Sequence, residues 1–354
     1  MELRQAKKGE ETKVSDLAVR IFKPNMKEQF IRLFHEQNIK HIFVAMDNQH
    51  LVSALNYYKT DIQSNRGLFK VASIGAVCTL EAYRGQGITS SLLSMAEEVM
   101  LEENIDFCII SGRRGLYQRF GARDVGAIDR YTYSPSSKIQ KTCEIRSFQE
   151  SDEDVMYAIY EQEPIRYLRT RDEFHDLLIA QTYPDSYQTY PIYVIEKDNR
   201  VQAYVILIDH HEKKELGIKE YAGNRKLILE VLPELMKQHQ KTSIDFMTFY
   251  EDDVKHHIGV SPERISQQAT LKIIDHTSFY NKLNAWIQKH QKAIKFNENN
   301  RLTILNQSYT MTDEMILKLI FSGEIPKELS SKEAEILKHV FPIDLPWSHN
   351  LNYQ

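Results

Sequence analysis

Residues 1 to about 130 and residues 143 to about 262 echo one another, and a repeat of domain size restricts the chain to two similar units in tandem. Glu2-Leu3-Arg4 recurs as Glu144-Ile145-Arg146, each opening a strand ahead of an acidic helix start, where Ser151 with Asp154 predicts a capping box. Both copies then carry a hairpin. HIFVAMDNQHLVSALNYY folds back around Asp47-Asn48, and PIYVIEKDNRVQAYVILI around Asp198-Asn199. Further on, Ile105-Asp106-Phe107 recurs as Ile244-Asp245-Phe246, and Gly121 finds a counterpart in Gly259. Each copy reads strand, helix, helix, hairpin, central strand, helix, strand, which predicts an α/β fold, a mixed α+β sheet with helices on its faces.

After residue 262 the texture changes. LKIIDHTSFYNKLNAWIQKH predicts a strand leading into an amphipathic helix, followed by a strand pair around Asn299-Asn300 and two short helices. The expected division is therefore 1–140, 141–262 and a small α+β unit at 263–354. The last stretch, HVFPIDLPWSHNLNYQ, is apolar and interrupted by proline to its end. Termini are usually polar unless they dock, so this strip predicts a docked tail.

The two copies differ at the turn after the central strand. Ile74 to Thr79 predicts an apolar strand, Tyr83 to Thr89 a turn, and Ile88, Leu92, Met95, Ala96 and Val99 the inner face of a helix. Glycines at 85 and 87 before a helix N-terminus expose unpaired backbone N–H groups at the positive end of the dipole, a place for phosphate. A side chain there would hold a pyrophosphate off the backbone, and a turn position can need positive φ. Arg84 adds a charge, and Thr89 or Ser90 a hydroxyl. Taken alone, the turn also reads as an ordinary strand–helix connection. No Lys-Ser or Lys-Thr follows the glycines, and a third glycine is missing, which excludes the two common nucleotide-loop patterns. In the second copy EYAGNRKLILEV keeps Gly223 but loses the second glycine and the hydroxyls.

Charge excludes other classes. A net charge of −4 from 45 basic and 49 acidic residues, mixed along the chain, gives no reason to bind nucleic acid or an anionic membrane. The charged opening MELRQAKKGEE and the lack of a long apolar run predict a cytoplasmic protein without a leader or a span. Cys78, Cys108 and Cys143 are too few for a disulfide framework or a zinc site, and the pairs His210-His211 and His256-His257 lack ligand spacing and read as surface, so no metal is expected. A homo-oligomer is compatible with the sequence but not specified by it.

VCTLEAYRGQGITSSLL resembles the central strand, loop and helix of the GNAT superfamily of N-acetyltransferases, with Arg84, Gly87 and Thr89 on its pattern and threonine where that pattern has glycine or alanine. GLYQRFGARDVG, Gly115 to Gly126, is similar to the family's segment bordering the thioester. The layout resembles the enhanced-intracellular-survival type: an active first unit, a degenerate second, and a small C-terminal domain resembling a truncated sterol-carrier fold. The resemblance implies acetyl-coenzyme A as acyl donor and an amine acceptor. It implies cofactor contacts from Val77, Cys78, Thr79, Arg84, Gly85, Gln86, Gly87, Ile88 and Thr89, a backbone N–H among Val77 to Thr79 polarising the thioester carbonyl, and Tyr117 as general acid. It further implies that the terminal carboxylate of Gln354 reaches the catalytic tyrosine, although the tail also reads as closing the third unit's core. A coenzyme A sensor without turnover and an interaction scaffold stay open beside the enzyme reading.

Overall fold

The computed structural model describes residues 1–134, 141–183, 187–297 and 299–353. The first copy runs β1 (Glu2–Gln5), α1 (Glu11–Ile21), α2 (Met26–Gln29), β2 (Ile42–Asp47), β3 (His50–Ser64), β4 (Gly67–Thr79), α3 (Ile88–Glu102), β5 (Phe107–Ile110), α4 (Gly115–Arg119), β6 (Arg123–Asp124) and β7 (Ile128–Tyr133). The second repeats the order as β8 (Glu144–Ser147), α5 (Glu153–Tyr160), β9 (Arg166–Leu168), α6 (Arg171–Thr182), β10 (Gln188–Thr189), β11 (Ile192–Lys197), β12 (Arg200–His210), β13 (Glu215–Gly223), α7 (Arg225–Gln238) and β14 (Ser243–Phe249). There follow β15 (Glu263–Ile265), β16 (Thr270–Ile273), α8 (His276–His290), β17 (Ile294–Asn297), β18 (Arg301–Ile304), β19 (Gln307–Thr310), α9 (Asp313–Leu317) and α10 (Ser331–Lys338). Among the described residues no helix is long and apolar enough to cross a membrane.

The fold is mixed α/β, with two mixed sheets of eight strands each and a small three-stranded sheet toward the C-terminus. Strand pairing crosses the boundaries expected at 140/141 and 262/263. β7 leaves the first copy and pairs antiparallel with β14 in the second sheet, while β16 returns from beyond residue 262 to lie between β5 and β6 in the first. Arg130 and Thr132 on β7 both reach Asp245 on β14, at 2.6 and 2.8 Å. Each sheet thus includes a strand contributed from outside its own copy.

Two local readings shift by a residue or two. The first hairpin turns on Asn48 and Gln49, at φ 46° and 70°, rather than on Asp47-Asn48; the second turns on Asp198 and Asn199, at 52° and 59°. Two successive positive φ values match the right-handed twist of the flanking strands. The capping box uses Gln149 and Asp152 instead of Ser151 and Asp154, because a short 3-10 turn precedes α5.

The third unit does not build a core of its own. Phe279 of α8 lies 5.2 Å from Phe69 of β4, and Phe321 lies 5.3 Å from Phe107 of β5, so its helices and the first sheet share one apolar cluster. The tail first closes this cluster with Phe341, Ile343 and Leu345 and then leaves the unit. Asn65 donates to the Asp344 carboxylate at 2.6 Å, the Trp347 indole to Gln268 at 3.1 Å and the Ser348 hydroxyl to the Gln267 carbonyl at 2.6 Å. Leu351 is then buried in the core between α5, α6 and the second sheet.

A buried ion pair anchors the last turn of the tail. Arg169 donates to both oxygens of Glu220 at 2.8 and 2.6 Å, with side chains 1% and 4% exposed. Arg169 Nε donates to Asn352 Oδ1 at 2.6 Å, and the Leu351 amide reaches Glu220 at 3.4 Å. Glu220→Ala strands the guanidinium in the interior, and removing one partner of such a pair costs about 3–5 kcal/mol. Chemical denaturation is expected to show a loss of that order; a loss no larger than for an exposed pair would contradict the anchoring role.

Candidate active site

The central strand β4 opens the site. Its pairing with β3 slips between Ala54 and Asn56, where three steps of β4 oppose two of β3, and Ala76 within the slip has φ 48°. A bulge of this kind bends the strand. The parallel pairing with β5 runs only from Val71–Phe107 to Ile74–Ile110, and β4 continues to Thr79 without a strand on that edge among the described residues. Leu80 N–H donates to Val52 on β3, whereas the Thr79 carbonyl accepts from Arg84 Nε at 3.3 Å. Backbone groups alternate between the two edges of a strand, so Val77 and Thr79 face the open edge and Cys78 faces β3. The Cys78 side chain is buried, and burial pushes its thiol up to about 12.

The turn at the end of β4 leaves a helix N-terminus open. Gly85 and Gly87 sit at φ 79° and 77°, and a Cβ placed on either would meet nothing within 4 Å, so the space over the turn is open. Gly87 is the N-cap of α3 and supplies no side-chain cap; the first helical bond is Ser91 N–H to the Gly87 carbonyl. The amides of Ile88, Thr89 and Ser90 therefore point out unpaired at the positive end of a fifteen-residue helix. Arg84 and Gln86 are exposed beside them, with Gln86 held to the Ala82 carbonyl at 3.3 Å. Thr89 also has a use within the chain. Its hydroxyl lies 3.0 Å from that of Thr79, which lies 2.7 Å from that of Ser53, so it ties the helix to the sheet.

Tyr117 stands across the opening. It lies on α4, its ring buried against Gly112, and its hydroxyl has no hydrogen-bond partner among the described residues. Burial raises its pKa above the ordinary value, with Arg114 opposing. The ring lines a cavity of about 470 Å³ together with Ile74 to Val77 of β4, Phe22 and Met26 of the α1–α2 corner, and Tyr353 of the tail. Val77 thus lines the cavity and borders the open edge, and β4 leads from there into the glycine turn. Gln354 lies outside the described residues. Gly112 is the residue that sequence reading missed: a Cβ there would fall 2.7 Å from the Tyr117 ring. Only the packing of the ring reveals it. Among the described residues no group of three or more His, Cys, Asp and Glu side chains is placed to hold a metal.

Residues 2–124 match the acetyltransferase (GNAT) domain family. No curated protein matches the sequence. Among solved structures, a GCN5-related N-acetyltransferase from Anabaena variabilis aligns over 98% of this chain and 98% of its own, with a TM-score of 0.70 and 11% identity. A probable N-acyltransferase of Enterococcus faecalis covers 79% of this chain and 74% of its own at 0.62 and 14% identity. Eis1 from Mycobacterium abscessus covers 78% and 74% at 0.55 and 10%. At such identities these three likenesses speak for the fold, and the domain match supports acyl transfer.

In the second copy, the position of the GNAT glycine turn is filled by the protein's own groups. Gly223 is hemmed in, since a Cβ would fall 2.3 Å from the Gln202 carbonyl, and its amide donates to Glu163 at 2.7 Å. Asn224 caps α7 through the Leu227 amide at 3.2 Å, while Arg225 is clamped by Glu163 and Asp252. A carboxylate occupies the place an anionic ligand would take. The tail covers the neighbouring gap, with Pro346, Trp347 and Asn350 against Ile218 to Tyr221 of β13 and Phe249 of β14.

The raised pKa of Tyr117 is directly measurable. In an ultraviolet titration of tyrosinate, the transition missing from Tyr117→Phe is expected above the usual tyrosine value of about 10; a missing transition at or below it would contradict the buried site.

Proposed function

We propose that the chain is an acetyl-coenzyme A-dependent N-acyltransferase that passes an acetyl group to a primary amine of a small molecule or peptide by direct attack on the thioester. One observation carries the reading: an uncapped helix N-terminus behind an open glycine turn and a buried tyrosine hydroxyl border the same edge of β4, with the hydroxyl and that edge unpartnered among the described residues. Bound acetyl-coenzyme A would supply an acyl group already activated as a thioester. The amides of Ile88 to Ser90 and Arg84 hold its pyrophosphate, and the open backbone of Val77 and Thr79 pairs with its extended arm. An N–H on that edge polarises the carbonyl. Tyr117, kept protonated by burial, passes its proton to the departing sulfur while the proton shed by the attacking amine restores the neutral tyrosine, so that amine and thioester leave as amide and thiol. The tail brings Tyr353 to the cavity, and the terminal carboxylate of Gln354 is proposed to sit nearby and orient the amine.

Coenzyme A is expected to bind once per chain, at the first copy. Gly87→Glu places bulk and negative charge where the pyrophosphate lies and should abolish binding; calorimetry finding two equivalent sites, or normal binding by the variant, would reject the assignment. Tyr117→Phe keeps the ring and deletes the hydroxyl. It should still bind coenzyme A and lose about 10²- to 10⁴-fold in kcat, the usual range for a general acid. Wild-type kcat in a step limited by chemistry would remove Tyr117 from the mechanism.

A further inference from the structure

The cavity of Tyr117 has a neighbour with which it shares part of its wall. Lys23, Phe30 and Tyr353 also line a second cavity of about 250 Å³, whose other walls come from Gln181 of α6, Ile208 and His210 of β12, Lys219 of β13, and Trp347 and His349 of the tail. The second copy, without a glycine turn of its own, thereby contributes a wall to the space beyond the catalytic tyrosine. His210, expected as a surface residue, is half-buried and faces this space.

Its charge is one-sided. Lys23, Arg114 and Lys219 line the two cavities, and no carboxylate side chain does so among the described residues. Among the described residues Lys219 makes no ion pair, and its ammonium sits 4.9 Å from the centre of the Tyr190 ring. The adjacent Glu220 cannot serve it, because both of its oxygens are engaged by Arg169 and one also by the Tyr204 hydroxyl at 3.0 Å. Burial lowers the Lys219 pKa to about 8, which still leaves an ammonium at neutral pH. His349 is pushed down to about 4 by burial, Lys219 and Arg113, so its ring is neutral, stacked 4.7 Å from Tyr353. The carboxylate of Gln354 lies outside the described residues.

We propose that the acceptor is an amine bearing an acidic group, carboxylate or phosphate, which Lys219 binds while the amine faces Tyr117. The inference rests on the acyl-transfer reading of the Tyr117 cavity. A half-buried ammonium with no ion pair among the described residues gains from an anionic partner, whereas a polycationic acceptor would meet like charge. The same cations help the chemistry. Positive charge near the acceptor amine lowers its pKa and favours the neutral, nucleophilic form, which suits a cavity without a carboxylate side chain to act as base.

The test uses the full chain with and without coenzyme A, titrated calorimetrically with O-phosphoethanolamine, β-alanine, ethanolamine and spermidine. One or both acidic amines should bind about tenfold or more tightly than ethanolamine and spermidine, the scale of a hydrogen bond to a charged group, and the two acidic probes separate phosphate from carboxylate. Lys219→Met should lose that preference and Lys219→Arg should keep it, each checked by its melting temperature. No measurable binding of either acidic amine, equal or tighter binding of spermidine, or an undiminished preference in a folded Lys219→Met would overturn the inference. A preference that depends on Lys219 in a chain that fails to bind coenzyme A would leave the anion subsite standing and sink the acyl-transfer reading instead.

Discussion

The buried pair of Arg169 and Glu220 holds together the parts from which the site is made. Two charges taken out of water must satisfy one another closely, and here the bidentate contact leaves Arg169 Nε for Asn352 and a carboxylate oxygen for the Leu351 amide. The second copy therefore uses its interior charges to grip the end of the chain. Gripped in that way, Tyr353 stands 5.9 Å from Phe30 and in the wall opposite β4, and the first copy's cavity gains a side it could not build from its own residues. The strand exchange of β7 and β16 has the same effect on the sheets, since neither is complete without a strand from outside its copy.

Duplication followed by divergence is visible in how each copy treats one helix N-terminus. α3 begins at an uncapped glycine with open space above it, so its amides remain available to a ligand. α7 begins at Asn224, which caps it, and behind it Glu163 accepts from Gly223 and pairs with Arg225. One helix end is left open, and beside the other stands an internal carboxylate. That difference leaves the second copy to dock the tail and to wall the neighbouring cavity, with Lys219 on the strand that carries Glu220.

Much of this was legible in sequence, because it depends on short range. The hairpin at Asp198-Asn199, the helix face of Ile88, Leu92 and Ala96, and the glycines at 85 and 87 are consequences of local dihedrals and periodicity, and they appear where the pattern puts them. Where reading slipped locally, at Asn48-Gln49 and at Gln149-Asp152, the error was a register choice between adjacent residues of similar turn and cap propensity. The use of Thr89 could not be foreseen, since whether a hydroxyl faces ligand or sheet depends on Thr79 and Ser53, brought alongside by strand pairing.

The sequence by itself determined the tandem α/β plan, the glycine turn and the apolar tail, since each is written in contiguous residues whose backbone preferences act within a few positions. Tertiary structure alone decided which strand completes which sheet, that Gly112 must be bare for the Tyr117 ring, and that Lys219 shares a continuous space with Lys23 and Tyr353. Those choices depend on burial and charge compensation between residues far apart in the chain. Their energies exist only once the fold has excluded water from between them.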